Sequence, residues 1–255
     1  MLQISLWRRI ASISSACLAV MALSAPGLAY RPFDGTDAAV AEPGEVEIEF
    51  QPAGVRRETS DKTLIAPATV INFGFAKDWE AILQGQFETS LAPTGKTSLM
   101  DAGVLLKHVL RRGSLQDMSG PSIATEFGVL LPDSTGQSGT GASAALIVSQ
   151  RWDFGTIHFN TSTALTRDQR ADLFVGAIVE GPSKWVVRPV AEIFYEEEFP
   201  QLRTTSGLVG LIWQINDKLS LDVAVRHAAT SGHPFNEIRA GLTVGFPIAF
   251  MANRK

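Results

Sequence analysis

The sequence predicts an all-β protein, a twelve-stranded antiparallel transmembrane β-barrel of the outer-membrane type. Beyond residue 29 apolar and polar residues alternate with a period of two, for example across residues 185–195. Strand geometry sends two such sets of side chains to opposite faces of a sheet. The alternating segments are also long. Strands of soluble proteins average about 5–6 residues, whereas a tilted strand that crosses a membrane needs about 9–11.

Twelve segments show this alternation, an even number that suits a closed antiparallel barrel. They are residues 44–53, 63–75, 79–90, 98–109, 120–131, 141–152, 156–165, 171–180, 184–196, 203–215, 218–227 and 236–248. Short turns alternate with longer links rich in Gly, Ser, Thr and Pro. Outer-membrane barrels pair short periplasmic turns with longer outer loops, so the first strand is expected to start at the periplasmic side. The link at 110–119 is long for that side and is expected to be an irregular periplasmic turn.

The N-terminus has the pattern of a secretory signal peptide. Arg8 and Arg9 precede an apolar stretch diluted by serines, and Gly27 and Ala29 stand at positions −3 and −1 of a cleavage site. We therefore expect residues 1–29 to be a signal peptide and 30–43 an N-terminal periplasmic segment. The barrel is expected to span 44–250, with a C-terminal tail at 251–255. This organisation predicts a location in the bacterial outer membrane.

Tryptophan placement supports a membrane interface. Beyond the predicted signal peptide the chain has Trp79, Trp152, Trp185 and Trp213, each close to a tight turn and on the apolar face. An aromatic girdle at one interface produces this pattern, because an indole is apolar in its body and polar at its N–H. We predict that these four residues form such a girdle, with outer-membrane lipid as partner.

The opposite face carries charges and is predicted to line a lumen. Cross-strand pairing would let these charges satisfy one another, and a lining that selects solutes is the alternative; both can hold together. The acidic surplus would disfavour anionic solutes. The predicted lining residues are Glu80, Glu88, Asp101, Lys107, Glu126, Arg151, His158, Asn160, Lys184, Arg188, Glu192, Asp222, Arg226, Glu237 and Arg239.

The sequence predicts no catalytic, cofactor-binding or metal site, and therefore no enzyme. The four histidines lack the spacing of a ligand pair. His158 and Ser162 share a strand face but lie about 13 Å apart along the strand, too far for a serine–histidine hydrogen bond. Cys17 is the only cysteine, which excludes a disulfide framework and a cysteine zinc site. A formal net charge of −4 argues against nucleic acid as a partner.

Two N-terminal stretches carry a family resemblance. Residues 31–39 read RPFDGTDAA, and residues 43–49 read PGEVEIE. The loops at 92–95 and 131–136 add the Pro-Thr-Gly-like sequences APTG and LPDSTG. Together these motifs resemble the "MetA-pathway of phenol degradation" family of outer-membrane transporters. The resemblance implies a barrel that passes small, often hydrophobic or aromatic, compounds. It does not imply an established catalytic site.

We therefore expect a passive outer-membrane channel for small hydrophobic or aromatic solutes. Eight strands leave room only for side chains and sixteen or more open a wide channel, so twelve suit a narrow passage. The expected partners are lipid, a small-molecule solute and the barrel-assembly machinery. Two alternatives stay open: an outer-membrane lipid-modifying enzyme, and a soluble periplasmic β-barrel or sandwich that binds a ligand.

Overall fold

The computed structural model describes residues 31–93, 95–200 and 202–248. The predicted signal peptide at 1–29 and the predicted tail at 251–255 lie outside these residues.

The described chain forms one closed antiparallel barrel, in which every strand pairs with its sequence neighbours and β1 pairs with β12. Each of the twelve predicted segments corresponds to one strand, so the predicted fold class is confirmed. The strands are β1 (Glu45–Arg57), β2 (Lys62–Ala76), β3 (Trp79–Ser90), β4 (Thr97–Arg111), β5 (Ser122–Leu130), β6 (Gly141–Trp152), β7 (Gly155–Leu165), β8 (Ala171–Glu180), β9 (Val187–Glu198), β10 (Leu202–Asn216), β11 (Leu219–Thr230) and β12 (His233–Pro247).

Several strand boundaries differ from prediction by one to four residues, and two of these differences have clear local reasons. β1 continues past Pro52 to Arg57, because the register with β12 shifts between Phe50 and Ala53 and places the proline in an irregularity where no ladder donor is needed. β9 starts at Val187, three residues later than predicted. Residues 181–186 instead form a turn, in which the backbone N–H of Trp185 donates to the Pro182 carbonyl at 2.9 Å.

The outer face of the barrel is apolar and uncovered. Large side chains on neighbouring strands are half-exposed or more, including Ile193 (67%), Val209 (58%) and Ile238 (58%). No second layer of described residues packs over them, and the single closed sheet excludes a β-sandwich. A continuous apolar exterior of this kind suits lipid rather than water.

The part of the chain that the structure describes contains little helix. The short 3-10 helix at Ser114–Gln116 lies in the link between β4 and β5. Among the described residues, no helix has the length and apolar character needed to cross a membrane.

Candidate functional site

The chain before β1 lies inside the barrel. Residues 31–43, here called the lumenal segment, run from the β11–β12 wall to the β2 wall and exchange hydrogen bonds with side chains on the way. That residues 30–43 lie at the periplasmic side of the membrane stays a prediction. The structure shows that the described part of this stretch lies inside the lumen, near the tight turns, and is bound to the barrel wall.

The start of the lumenal segment is fixed by Arg31. Its Nε lies 3.3 Å from the Asp222 carboxylate on β11, and its Nη2 donates to the Gln51 carboxamide on β1 at 2.8 Å. Gly241 on β12 faces the same guanidinium, and a Cβ there would collide with it. Two strands therefore bind the arginine, and the glycine on the strand between them leaves room for it.

Asp34 and Gly35 form the most strongly held part of the segment. Their backbone N–H groups donate to the two oxygens of Glu192 at 2.9 and 2.7 Å. The Asp34 carboxylate also lies 3.0 Å from Arg239 and 3.4 Å from Arg226. Desolvation in the lumen raises the pKa of Asp34, but the charges of Arg239 and Arg226 outweigh it and hold the pKa below its ordinary value.

Thr36 and Asp37 bind the opposite wall. Asn160 on β7 accepts the Thr36 N–H at 3.0 Å and donates to the Thr36 carbonyl at 2.8 Å, which mimics one rung of a β-ladder. Lys107 on β4 donates to the Thr36 hydroxyl at 2.9 Å and lies 3.4 Å from Asp37. The side chains of Asn160 and Lys107 therefore both bind the lumenal segment.

The end of the segment passes over β2 and β3. The Ala41 N–H donates to the Glu80 carboxylate at 2.6 Å, and the Gly44 N–H donates to the Gly74 carbonyl at 2.7 Å. A Cβ at Gly74 would collide with the carbonyls of Ala41 and Glu42. The close approach of the two backbones requires glycine here.

The long link at 110–119 covers one side of the lumen at the tight-turn end of the barrel. Leu115 is buried against Ala38, Ala124 and Ile147, the hydrophobic cluster inside the lumen. Gln116 donates to the Ala38 carbonyl at 3.1 Å. The link is longer than an ordinary turn because it folds back against the lumenal segment.

A buried serine–histidine–glutamate network lies under the segment. Ser149 and His158 Nδ1 are hydrogen-bonded at 2.8 Å, and His158 Nε2 lies 3.3 Å from Glu180, which also faces Arg188 at 3.4 Å. The Ser149 hydroxyl accepts the Ala38 N–H at 3.0 Å. The sequence pattern alone suggests Ser162, on the same strand, as the serine to consider with His158. The overlooked signal is the tight turn between β6 and β7, which sets Ser149 directly opposite His158.

The predicted lining residues fall into three groups. His158, Arg188, Glu192 and Asp222 are buried in networks at or below the lumenal segment, and Arg151 lies beside the link helix, where its N–H donates to Ser114. The prediction that Lys184 lines the lumen is wrong. The residue lies in the turn before β9, and its side chain is 86% exposed, because the strand alternation begins only at Val187. The remaining nine line the large cavity: Glu80, Glu88, Asp101, Lys107, Glu126, Asn160, Arg226, Glu237 and Arg239.

This cavity has a volume of about 760 Å³. It extends from the lumenal segment toward the long loops, and its walls carry twelve carboxylates against six cationic side chains. Arg167 lines the loop end of the cavity. It is held there by hydrogen bonds that its guanidinium donates to the carbonyls of Leu131 and Ala102 at 2.6 and 3.0 Å. Phe174 and Phe194 contribute two rings with centroids 5.0 Å apart, and Arg226 lies over the Phe194 ring. The lining is acidic on balance and includes an aromatic patch.

The four tryptophans lie near the tight turns. Trp152, Trp185 and Trp213 are 42%, 54% and 50% exposed on the outer surface. Trp79 is less exposed because it stacks on His108, with 4.0 Å between ring centroids. Their role as an interfacial girdle stays a prediction.

Comparisons with solved structures identify the fold. No family model and no curated protein matches the chain. The KdgM porin matches with a TM-score of 0.54 and 12% identity, over 78% of this chain and 99% of that one. An outer membrane channel from Pseudomonas putida F1 gives 0.60 and 7%, over 84% and 100%. The NanC porin gives 0.56 and 7%, over 78% and 98%.

The chain has the fold of outer-membrane β-barrel porins. At these identities the similarity concerns the fold alone, so the resemblance to the phenol-degradation family stays an expectation. Among residues 31–93, 95–200 and 202–248, no cluster of three or more His, Cys, Asp or Glu side chains is arranged to hold a metal ion.

Proposed function

We propose that the protein is a passive channel of the bacterial outer membrane for small solutes, with the lumenal segment as its gate. The observation that carries the proposal is the pairing of an apolar exterior with a charged cavity of about 760 Å³ that ends on the lumenal segment. With the tight turns at the periplasmic side, the tryptophans near these turns form an aromatic girdle at the periplasmic interface.

The cavity lining favours a particular solute class. The family resemblance implies hydrophobic or aromatic compounds, and Phe174 and Phe194 offer ring contacts to such a solute. The excess of carboxylates in the wall disfavours anions, and Asp172 and Glu196 lie beside these rings. We therefore infer a small aromatic or hydrophobic solute that is neutral or cationic.

The hydrogen bonds of the lumenal segment suit a gate. Backbone N–H groups of the segment donate to lumen side chains and not to strand backbone, so the segment can leave without breaking a sheet. A solute of aromatic size has to displace the segment to cross the turn end. The gate is stabilised by the same side chains that would line the open channel.

Flux through liposomes tests this function. Tyramine and 4-hydroxyphenylacetate carry the same phenol ring with opposite charges. We expect the refolded full chain to raise the flux of both above protein-free liposomes, with tyramine faster because the wall is acidic. Equal flux in protein-containing and protein-free liposomes would refute the channel. A faster anion would refute the solute class only.

The serine–histidine–glutamate network is the one observation that favours the enzyme alternative. A lipid substrate would approach from the outer face or the rim, whereas Ser149 faces the lumen and has no exposed surface. Its hydroxyl also accepts the Ala38 N–H. We infer that the network holds the lumenal segment in place and is not catalytic.

A soluble binding protein is the other alternative. The apolar exterior disfavours it, and membrane extraction tests the point. An integral barrel stays with the membrane fraction in alkaline carbonate, whereas release by osmotic shock without detergent would contradict a membrane location.

A further inference from the structure

A second, much smaller cavity opens at the turn end, on the side that the lumenal segment leaves uncovered. Its volume is about 10 Å³, and no residue of the segment lines it. Its walls come from the starts of β1 and β11, the end of β12 and the turn between β10 and β11, including Ser220, Thr243 and Gly245. This cavity therefore lies at the tight-turn end of the barrel, outside the space that the lumenal segment occupies.

Glu47 lines both this cavity and the large one. The residue is only 8% exposed. Among the described residues, its carboxylate takes part in no hydrogen bond or ion pair. The charged groups that act on it most are other carboxylates, Glu49, Glu80, Asp37 and Glu45. Glu47 is therefore a buried acceptor between two cavities without a partner of its own.

The nearby cations are engaged elsewhere. Arg31 is bound by Asp222 and Gln51, and Lys107 by Asp37 and Thr36. The neighbouring Glu49 accepts from the Asn72 carboxamide at 2.9 Å, whereas Glu47 on the same face of β1 has no such donor. An unpaired carboxylate in a desolvated position is costly, and a cation at that position removes the cost.

We propose that Glu47 selects cations in a constricted path past the lumenal segment. This inference rests on the proposed channel function. A volume of about 10 Å³ holds about one water molecule, so the path excludes organic solutes. A monovalent cation such as K⁺, with its water in single file, passes from the large cavity by way of Glu47 while the segment stays in place. Chloride is repelled by the carboxylates of Glu45, Glu47 and Glu49.

Reversal potentials in planar bilayers under a KCl gradient test the proposal on the refolded full chain. We expect the wild type to prefer K⁺ over Cl⁻. Glu47→Gln should lower this preference about tenfold, because a carboxylate in contact with the ion stabilises it by more than that factor in a partly desolvated site. Glu47→Asp keeps the charge and should retain most of the preference. Glu58→Gln removes the same charge at the exposed loop end and should change nothing.

The outcomes separate this proposal from the channel function. A wild type without K⁺ preference overturns the role of Glu47 without any variant. An unchanged preference in Glu47→Gln, in a barrel whose heat-modifiable migration shows that it is folded, also overturns it. In either case tyramine flux through the wild type leaves the channel function standing. Absence of both conductance and flux in the wild type refutes both.

Discussion

Glu192 is the side chain whose removal should open the channel most. It is buried on β9 and accepts the N–H groups of Asp34 and Gly35 at 2.9 and 2.7 Å. Hydrogen bonds to a charged group contribute about 1.5–3 kcal/mol each. Because Glu192→Ala also removes the repulsion between Glu192 and Asp34, we use the lower figure, about 3 kcal/mol for the two bonds. The equilibrium between the seated and the displaced lumenal segment should then shift about a hundredfold toward the displaced state.

Single-channel recording measures this shift as the fraction of time in a large-conductance state. We expect that fraction to rise about a hundredfold in Glu192→Ala unless it is already near one. Glu198→Ala is the matched control, since Glu198 lies on the same strand but pairs with Arg170 at 2.8 Å and not with the segment. An unchanged fraction in Glu192→Ala, or an equal rise in Glu198→Ala, would refute the assigned role of Glu192.

Three further predictions concern the network, the pH dependence and the membrane interface. A fluorophosphonate probe should not label the refolded barrel, because Ser149 is covered; labelling that disappears in Ser149→Ala would contradict a purely structural network. Asp34 has a lowered pKa, so its contribution is complete above the unfolded value and is lost as pH falls through the folded one. Asp34→Asn should therefore open more than wild type at pH 7, and the difference should shrink as the pH falls and vanish below the folded-state pKa of Asp34, where both side chains are uncharged; a difference that does not shrink on acidification would contradict the ion-pair argument. Lipids brominated near the headgroup should quench Trp152, Trp185 and Trp213 more than lipids brominated at the chain ends, and the opposite order would exclude the girdle.

The barrel was predictable because lipid imposes strict rules on a chain that crosses it. Every backbone donor needs a partner in the sheet, and each strand has to place apolar residues outward at every second position. Those rules leave a period-two pattern that is legible in the sequence. The boundaries of β1 and β9 were less predictable, because a register shift at Pro52 and a turn around Trp185 depend on neighbouring strands.

The sequence contains no comparable pattern from which the position of the lumenal segment could be predicted. Its residues have no periodicity, and its partners are distant in sequence, as when Arg239 donates to the Pro32 carbonyl across 207 residues. The pairing of Ser149 with His158 could have been found by counting outward from their shared turn. The isolation of Glu47 could not, because it depends on where the lumenal segment places Arg31 and on the binding of Lys107 by Thr36 and Asp37 of that segment.

The most direct test of the account compares the conductance of the refolded wild type with that of a variant lacking residues 31–41. The account predicts a small, cation-preferring conductance in the wild type and one several-fold larger in the variant, because the barrel remains closed by β1–β12 pairing while its lumen is emptied. Equal conductance in the two proteins would show that the lumenal segment does not occupy the path, and would contradict the account.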